Sequence, residues 1–415
     1  MVLDPGSTVA VVGASLAGLR AAETLRAEGH TGAIVLIGAE PHLPYDRPPL
    51  SKQFLAGTWG LERVLLRPAE KIAALGLELR LGHSAGGLDV EGHTLELDDG
   101  STVGFDGLVL ATGAHPRLLP GPRQIAGVHV LRTLEDSIAL GHAIRQEGAR
   151  VVVVGAGLIG SEVAATCHAL GADVTVVEAL AQPVERVLGA EMGAVCGELH
   201  ADHDVTLLTE AGVAALRSTG AGAGADASVG DAVNGVELDD GRVLDADVVV
   251  IGIGVVPTTQ WLEGSGLEID NGVVADATLH VADDIVVAGD MARWFDESLG
   301  THVRIEHWTN AVEQGVAAAR SLLAGRSDAT PYVPVPYFWS DQYETKIQVL
   351  GHPSPDDDVV VVEGALQERR FVALYGRAGK FTAALGFSRP RQLMGYRALL
   401  EAGASFDEAL AHLPA

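Results

Sequence analysis

The sequence predicts an α/β protein: two parallel-sheet domains of similar design, then a smaller α+β domain. Three observations predict it. A short apolar run, a helical stretch and a second apolar run open the chain. The same pattern returns about 142 residues later, with Gly13 and Gly155 in equivalent places. From residue 330 a proline-rich segment leads into several short apolar runs and one helical stretch. Alternating strands and helices call for a parallel sheet, and a later cluster of strands calls for a separate layer.

In order, residues 9–12 (Val-Ala-Val-Val) read as a strand and 16–28 as a helix that Gly29 breaks. Residues 34–37 read as the next strand. The repeat gives a strand at 151–154, a helix at 159–170 and a strand at 174–177. Between the repeats, 95–100 reads as a hairpin around Asp98, Asp99 and Gly100. Residues 109–113 are a strand ending in glycine, and 248–254 are its counterpart. The Gly/Ala/Ser-rich segment 218–230 reads as a flexible hairpin loop. Residues 330–336 read as a linker. Strands follow near 345–350, 359–363, 371–375 and 381–386, with one helix near 390–402. The expected domains are 1–115 with 246–328, then 116–245, then 329–415.

Composition bounds the function. The chain has 47% hydrophobic and 20% charged residues, enough to bury cores. Its net charge of -27 argues against nucleic acid and against anionic membrane surfaces. The two cysteines, Cys167 and Cys196, form no C-x-x-C, so a reducing compartment is expected. Neither a secretory signal nor an apolar run of about 18 residues is visible. A cytoplasmic protein with no metal site is expected.

The glycines carry the chemistry. Gly13-Ala-Ser15-Leu-Ala-Gly18 stands between a strand and a helix, the context a Rossmann-like dinucleotide fingerprint requires. Glycine allows the tight turn that brings helix amides and dipole to a pyrophosphate. Ser15 replaces the middle glycine and offers a hydroxyl to a phosphate. Glu40, 22 residues after Gly18, suits a ribose hydroxyl. The second cluster, Gly155-Ala-Gly157-Leu158-Ile159-Gly160, is complete, and Glu178 follows it after 18 residues. A carboxylate there accepts from a 2′-hydroxyl and repels a 2′-phosphate, so NADH is expected over NADPH. Two fingerprints imply two dinucleotides, and the economical pair is bound FAD with transient NADH.

Several motifs in order carry a resemblance: Tyr45-Asp-Arg-Pro-Pro-Leu-Ser-Lys52, Ala111-Thr-Gly113, Leu131-Arg-Thr133, the second glycine cluster, Ala288-Gly-Asp290, Glu306-His-Trp-Thr-Asn310 and Tyr337-Phe-Trp-Ser-Asp341. Over nearly its whole length the chain resembles the FAD-dependent NADH:ferredoxin reductases of oxygenase systems, the family of putidaredoxin reductase and the aromatic-ring dioxygenase reductases. The resemblance implies a glutathione-reductase-like fold. It implies that Asp290 bonds a flavin ribityl hydroxyl and that Arg47 and Lys52 are cations around the flavin. A lysine near N5 would stabilise an anionic reduced flavin. Arg132, the backbone at Ala85, the Ala111, Thr112 and Gly113 loop, and Glu306 and His307 are implied FAD contacts. Trp308 and Trp339 are implied beside the isoalloxazine and at the exit towards the partner. Glu162 is implied near the nicotinamide amide, and Gly252 and Gly254 beside NAD. Lys52, Glu162 and Trp339 are the implied catalytic residues.

Related disulfide reductases carry a redox C-x4-C after the first fingerprint, but 40–52 holds no cysteine here. Electrons must therefore leave directly from the flavin. The implied acceptor is a [2Fe-2S] ferredoxin that serves a cytochrome P450 or a ring-hydroxylating dioxygenase. Arg369, Arg370, Arg377, Lys380, Arg389, Arg391 and Arg397 fall in a stretch without Asp or Glu. They are a candidate basic face for an acidic ferredoxin. Three alternatives stay open: an NADH oxidase or rubredoxin-type reductase on the same scaffold, a redox-regulated flavoprotein resembling apoptosis-inducing factor, and a non-catalytic nucleotide-binding module.

Overall fold

The computed structural model describes residues 3–120, 125–219 and 231–412. The chain divides into two compact units: Met1–Asp46, Leu61–His115 and Val255–Pro334 form one, and Arg47–Gly60, Pro116–Gly254 and Val335–Ala415 the other.

In the first unit a six-stranded sheet has the order His280–Ala282, Ile285–Val287, Gly107–Leu110, Val9–Val12, Ile34–Gly38, Glu78–Leu81. All its pairings are parallel except that of the edge strand His280–Ala282. Every residue of Val9–Val12 is buried. A strand covered on both faces reads as a continuous apolar run, which explains why no alternation marks it. Helix Leu16–Ala27 buries Ala17, Leu19, Ala22 and Leu25. Helix Trp308–Ala324 packs closely upon it: a Cβ at Gly315 would lie 2.5 Å from the Ala17 carbonyl oxygen. The expected hairpin is present, with Leu95 paired to Val103.

The second unit repeats the design. Its parallel sheet has the order Thr206–Leu208, Asp173–Val177, Arg150–Val154, Val248–Ile251, Val128–His129. Strand Val248–Ile251 pairs with Arg150–Val154. The expected boundary after residue 245 therefore moves to Gly254, and residues 246–254 belong with the second sheet. Arg47–Gly60 also belong to this unit, a detachment from the first stretch that the sequence reading did not expect. Strands Val213–Ser218 and Val233–Leu238 pair antiparallel. The expected loop at 218–230 lies, from residue 220 on, outside the described residues.

The C-terminal region forms an antiparallel sheet in the order Tyr337–Gln342, Thr345–Gly351, Lys380–Phe387, Arg370–Arg377, Asp358–Ala365. Strand Tyr337–Gln342 was not expected; its buried residues alternate with half-buried ones. The expected helix at 390–402 is two short helices, Pro390–Met394 and Arg397–Glu401, parted at Gly395 and Tyr396. A further helix, Phe406–Ala411, starts with a Ser405–Glu408 capping box. The region shares one apolar core with helix Glu185–Ala201: Leu188, Met192 and Leu199 pack with Phe338, Phe371 and Phe387. The region lies within the second unit and keeps a sheet of its own, in keeping with the expected C-terminal α+β domain. Among the described residues no helix is long and apolar enough to cross a membrane.

Candidate functional site: two nucleotide cradles and a buried carboxylate hub

In the first unit the turn after Val9–Val12 is closed by backbone packing. Gly13 has φ +121, and a Cβ there would sit 2.0 Å from the Ala111 carbonyl oxygen. A Cβ at Gly18 would sit 1.9 Å from the Gly13 carbonyl oxygen. Only glycine fits either place. Ser15 caps helix Leu16–Ala27 in extended conformation without spending its hydroxyl on a helix amide. That leaves a hydroxyl and a helix N-terminus at the same turn, the donor set a phosphate takes. Glu40 follows strand Ile34–Gly38 and accepts a hydrogen bond from the Tyr45 hydroxyl. The Ala111, Thr112 and Gly113 loop is tied to the sheet by the Ala111 amide donating to Val12. Thr112 donates through its hydroxyl to the Thr258 carbonyl at 2.8 Å.

Asp290 lies on the turn Gly289–Met291 that follows strand Ile285–Val287, as a strand-end carboxylate should. The side-chain carbonyl of buried Gln314 accepts from the Gly289 amide at 2.8 Å and fixes this turn. His307 caps helix Trp308–Ala324. Trp308 donates its indole N–H to Asp46 Oδ1 at 2.6 Å. Glu306 is exposed and ion-paired with Arg304 at 2.6 Å. Ala85 opens a strand and is half-buried. Asp46, Thr258 and Gln314 escaped the sequence reading as site residues.

The second unit holds the second cradle. Gly155 has φ +99, and a Cβ there would lie 2.5 Å from the Gly252 carbonyl oxygen. A Cβ at Gly160 would lie 2.1 Å from the Gly155 carbonyl oxygen. Gly157 differs: its nearest neighbour would be 4.0 Å away, so the protein itself leaves room there. Leu158 begins the helix Leu158–Ala169 and packs inward, while Ile159 points outward with 48% exposure. The Glu178 carboxylate accepts from the Ala156 amide at 2.7 Å and from the Leu180 amide at 2.9 Å. It thus stands against the glycine loop itself. Gly252 backs the loop, and Gly254 is exposed with open space at its Cα.

Beside this cradle, the turn Pro48–Ser51 and Lys52 are held against helix Leu158–Ala169. Ser137 donates to the Leu50 carbonyl at 2.8 Å, and Thr166 to the Ser51 carbonyl at 2.7 Å. Arg47 donates to the Arg132 carbonyl. Glu162 is 6% exposed and takes four donors. Ser51 Oγ at 2.5 Å and Lys52 Nζ at 2.6 Å meet one oxygen; Ser340 Oγ at 2.8 Å and the Asp341 amide at 3.1 Å meet the other. A buried charge persists when paired and hydrogen-bonded in this way. The Glu162 carboxylate thus joins the Lys52 turn to strand Tyr337–Gln342. Trp339, one residue from Ser340, stacks with Tyr337 at 6.1 Å between ring centres.

The cysteines are inert. Both are buried, and burial pushes each thiol up to about 12. The expected basic face is largely neutralised. Arg369 pairs with Glu198 and Asp202, Arg377 with Asp357, Arg389 with Glu363 and Arg397 with Glu401. The stretch lacks acids of its own, but folding brings Glu198, Asp202, Asp357 and Glu363 to it, and Glu401 meets Arg397 one turn along the same helix. Among the described residues, Arg370, Lys380 and Arg391 are exposed and in no ion pair.

Comparison with known proteins agrees with this geometry. The family signature of pyridine nucleotide-disulphide oxidoreductases matches residues 7–315, and that of the reductase C-terminal domain matches 337–414. The ferredoxin–NAD(+) reductase component of an anthranilate 1,2-dioxygenase system from Burkholderia cepacia is 40% identical over 400 residues, 96% of this chain and 95% of that one. Rhodocoxin reductase from Rhodococcus erythropolis is 36% identical over 95% of this chain and 89% of its own. The reductase in the covalent putidaredoxin reductase–putidaredoxin complex superposes with a TM-score of 0.90 at 31% identity, covering 98% of this chain and 96% of that chain.

Proposed function

Because the chain belongs to the pyridine nucleotide-disulphide oxidoreductase family, we propose that it is an FAD-dependent reductase that oxidises NADH and passes electrons to a [2Fe-2S] ferredoxin serving a ring-hydroxylating dioxygenase or a cytochrome P450. One observation carries the reading: two pyrophosphate cradles in one chain, with no thiol pair to take the electrons onward.

The first cradle fits FAD. Gly13 and Gly18 leave no space for a side chain, Ser15 keeps its hydroxyl available, and Asp290 stands at a strand end where it would meet a ribityl hydroxyl. The motif resemblance, rather than a geometry of the fold, adds Arg47, Lys52, Arg132, Ala85, Thr112, Trp308 and Trp339 as proposed flavin residues. The second cradle fits NADH. Gly157 leaves room for a pyrophosphate, and Glu178 favours a ribose with a free 2′-hydroxyl. Bound flavin supplies the conversion of a hydride pair into single electrons. The protein's part is to orient: no side-chain acid or base is needed for hydride transfer. The ferredoxin and the dioxygenase enter from the name of the Burkholderia cepacia relative, and the P450 from the family that the sequence motifs resemble.

The test is direct. The purified protein should be yellow and should bleach under NADH without oxygen. It should reduce cytochrome c only when a [2Fe-2S] ferredoxin is added. Rapid oxygen consumption without any carrier would replace this reading with an NADH oxidase. A colourless protein would end it.

A further inference from the structure

We infer that Ser340 is a positioning residue for Lys52, acting through Glu162, so that the C-terminal lobe holds in place the cation assigned to the flavin. The inference rests on the functional reading above and adds a residue to it.

The residue type is the first clue. In strand Tyr337–Gln342 the core-facing places are Phe338, Ser340 and Gln342. Ser340 is 0% exposed. A hydroxyl buried without a partner gives up its hydration with nothing in return, so an apolar residue would be the default there. Its partner is the Glu162 carboxylate at 2.8 Å, 178 residues away in sequence. The direction of the bond is determined. Gln342 Nε2 donates to Ser340 Oγ at 3.3 Å, so the single serine proton is left for Glu162.

The carboxylate is therefore gripped from two sides. The C-terminal strand holds one oxygen through Ser340 and the Asp341 amide. The turn before Lys52 holds the other through Ser51, together with Lys52 itself. Lysine is a point charge on a flexible stem, so its place is set by what it binds. Here that is chiefly one oxygen of Glu162 at 2.6 Å, with Ser51 Oγ farther off at 3.4 Å, and the orientation of that oxygen depends on what grips its twin. Removing the Ser340 hydroxyl leaves the twin with the Asp341 amide alone. The carboxylate can then turn, and the ammonium is released.

Lysine scarcity makes a clean test possible, since the chain has only Lys52, Lys71, Lys346 and Lys380. The flavoprotein as purified is labelled with trace acetic anhydride, and each lysine is read by peptide mass spectrometry. Exposed Lys71 and Lys380 serve as references; Lys346 is set aside because it pairs with Asp341. In Ser340→Ala, labelling of Lys52 relative to the references should rise about tenfold, the scale of one charge-assisted hydrogen bond. The flavin midpoint potential should fall, because a cation that favours reduced flavin is held less firmly. Ser340→Thr, which keeps the hydroxyl, should restore the labelling ratio. If Ser340→Ala does not fold, Ser340→Cys takes its place and should show a smaller rise. A labelling ratio unchanged in a folded variant that lacks the hydroxyl overturns the inference while the flavin still bleaches with NADH. Absence of flavin in the unsubstituted protein overturns the functional reading instead.

Discussion

At the scale of single residues, two glycines of one loop have opposite reasons to be glycine. Gly155 is forced by the protein: positive φ, and a Cβ that would meet the Gly252 carbonyl at 2.5 Å. Gly157 is not; its Cβ would have 4.0 Å of clearance. Alanine at 155 should therefore destabilise the fold by about 2–4 kcal/mol, read as a lower melting temperature. Alanine at 157 should leave the melting temperature nearly unchanged and raise the KM for NADH, because the methyl fills space meant for a pyrophosphate. Equal effects on stability at both places would show that the loop is not built around a ligand. The same scale shows what sequence reading can find. Both fingerprints were legible because their constraints are local: a turn, a helix start, a carboxylate at a strand end. Glu162 and Lys52 were picked out, but the serines that hold the Glu162 carboxylate were not. Ser51 and Ser340 lie 111 and 178 residues from it, and no spacing rule joins them.

At the scale of elements, helix Glu185–Ala201 is fastened by a histidine the sequence reading passed over. His200 is fully buried, 2.8 Å from the Tyr343 hydroxyl and 3.3 Å from Ser161 of helix Leu158–Ala169. His203, one turn on, stacks on the Tyr343 ring at 3.8 Å. Burial, with neighbouring His203 adding a smaller push, lowers the His200 imidazole to about 4 from 6.5. The sign follows from proton binding: the unfolded chain binds the proton more readily between those values. The contribution to stability is complete above pH 6.5, declines as pH falls towards 4, and is constant below. Between about pH 7.5 and about pH 5 the loss amounts to roughly 2 kcal/mol. His200→Gln should narrow the difference in melting temperature between those two pH values by a few degrees. An undiminished difference would place the acid sensitivity in other histidines, such as half-buried His129 and buried His280, which desolvation also lowers. Strands and helices with strong apolar runs were placed correctly from sequence. The half-buried strand Tyr337–Gln342 was not, because Ser340 and Gln342 stand at core-facing positions where an apolar signal is expected.

At the scale of the whole molecule, charge decides what an acidic partner can find. A chain of net charge -27 repels an acidic ferredoxin at long range. Association therefore depends on local cations within about one Debye length, roughly 8–10 Å at ordinary salt. The seven cations between 369 and 397 look alike in sequence and differ in space. Arg369 is clamped between Glu198 and Asp202, so its charge is spent holding the C-terminal lobe to helix Glu185–Ala201. Arg391 is exposed and in no ion pair among the described residues. Charge reversal should separate the two. Arg391→Glu should lower kcat/KM for ferredoxin several-fold at low salt, leave NADH-dependent flavin bleaching unchanged, and converge with the unsubstituted protein as salt is raised. Arg369→Glu should lower the melting temperature, since it sets a third acid against two. If Arg391→Glu has no salt-dependent effect, the partner docks elsewhere, and the stretch from 369 to 397 serves the fold alone.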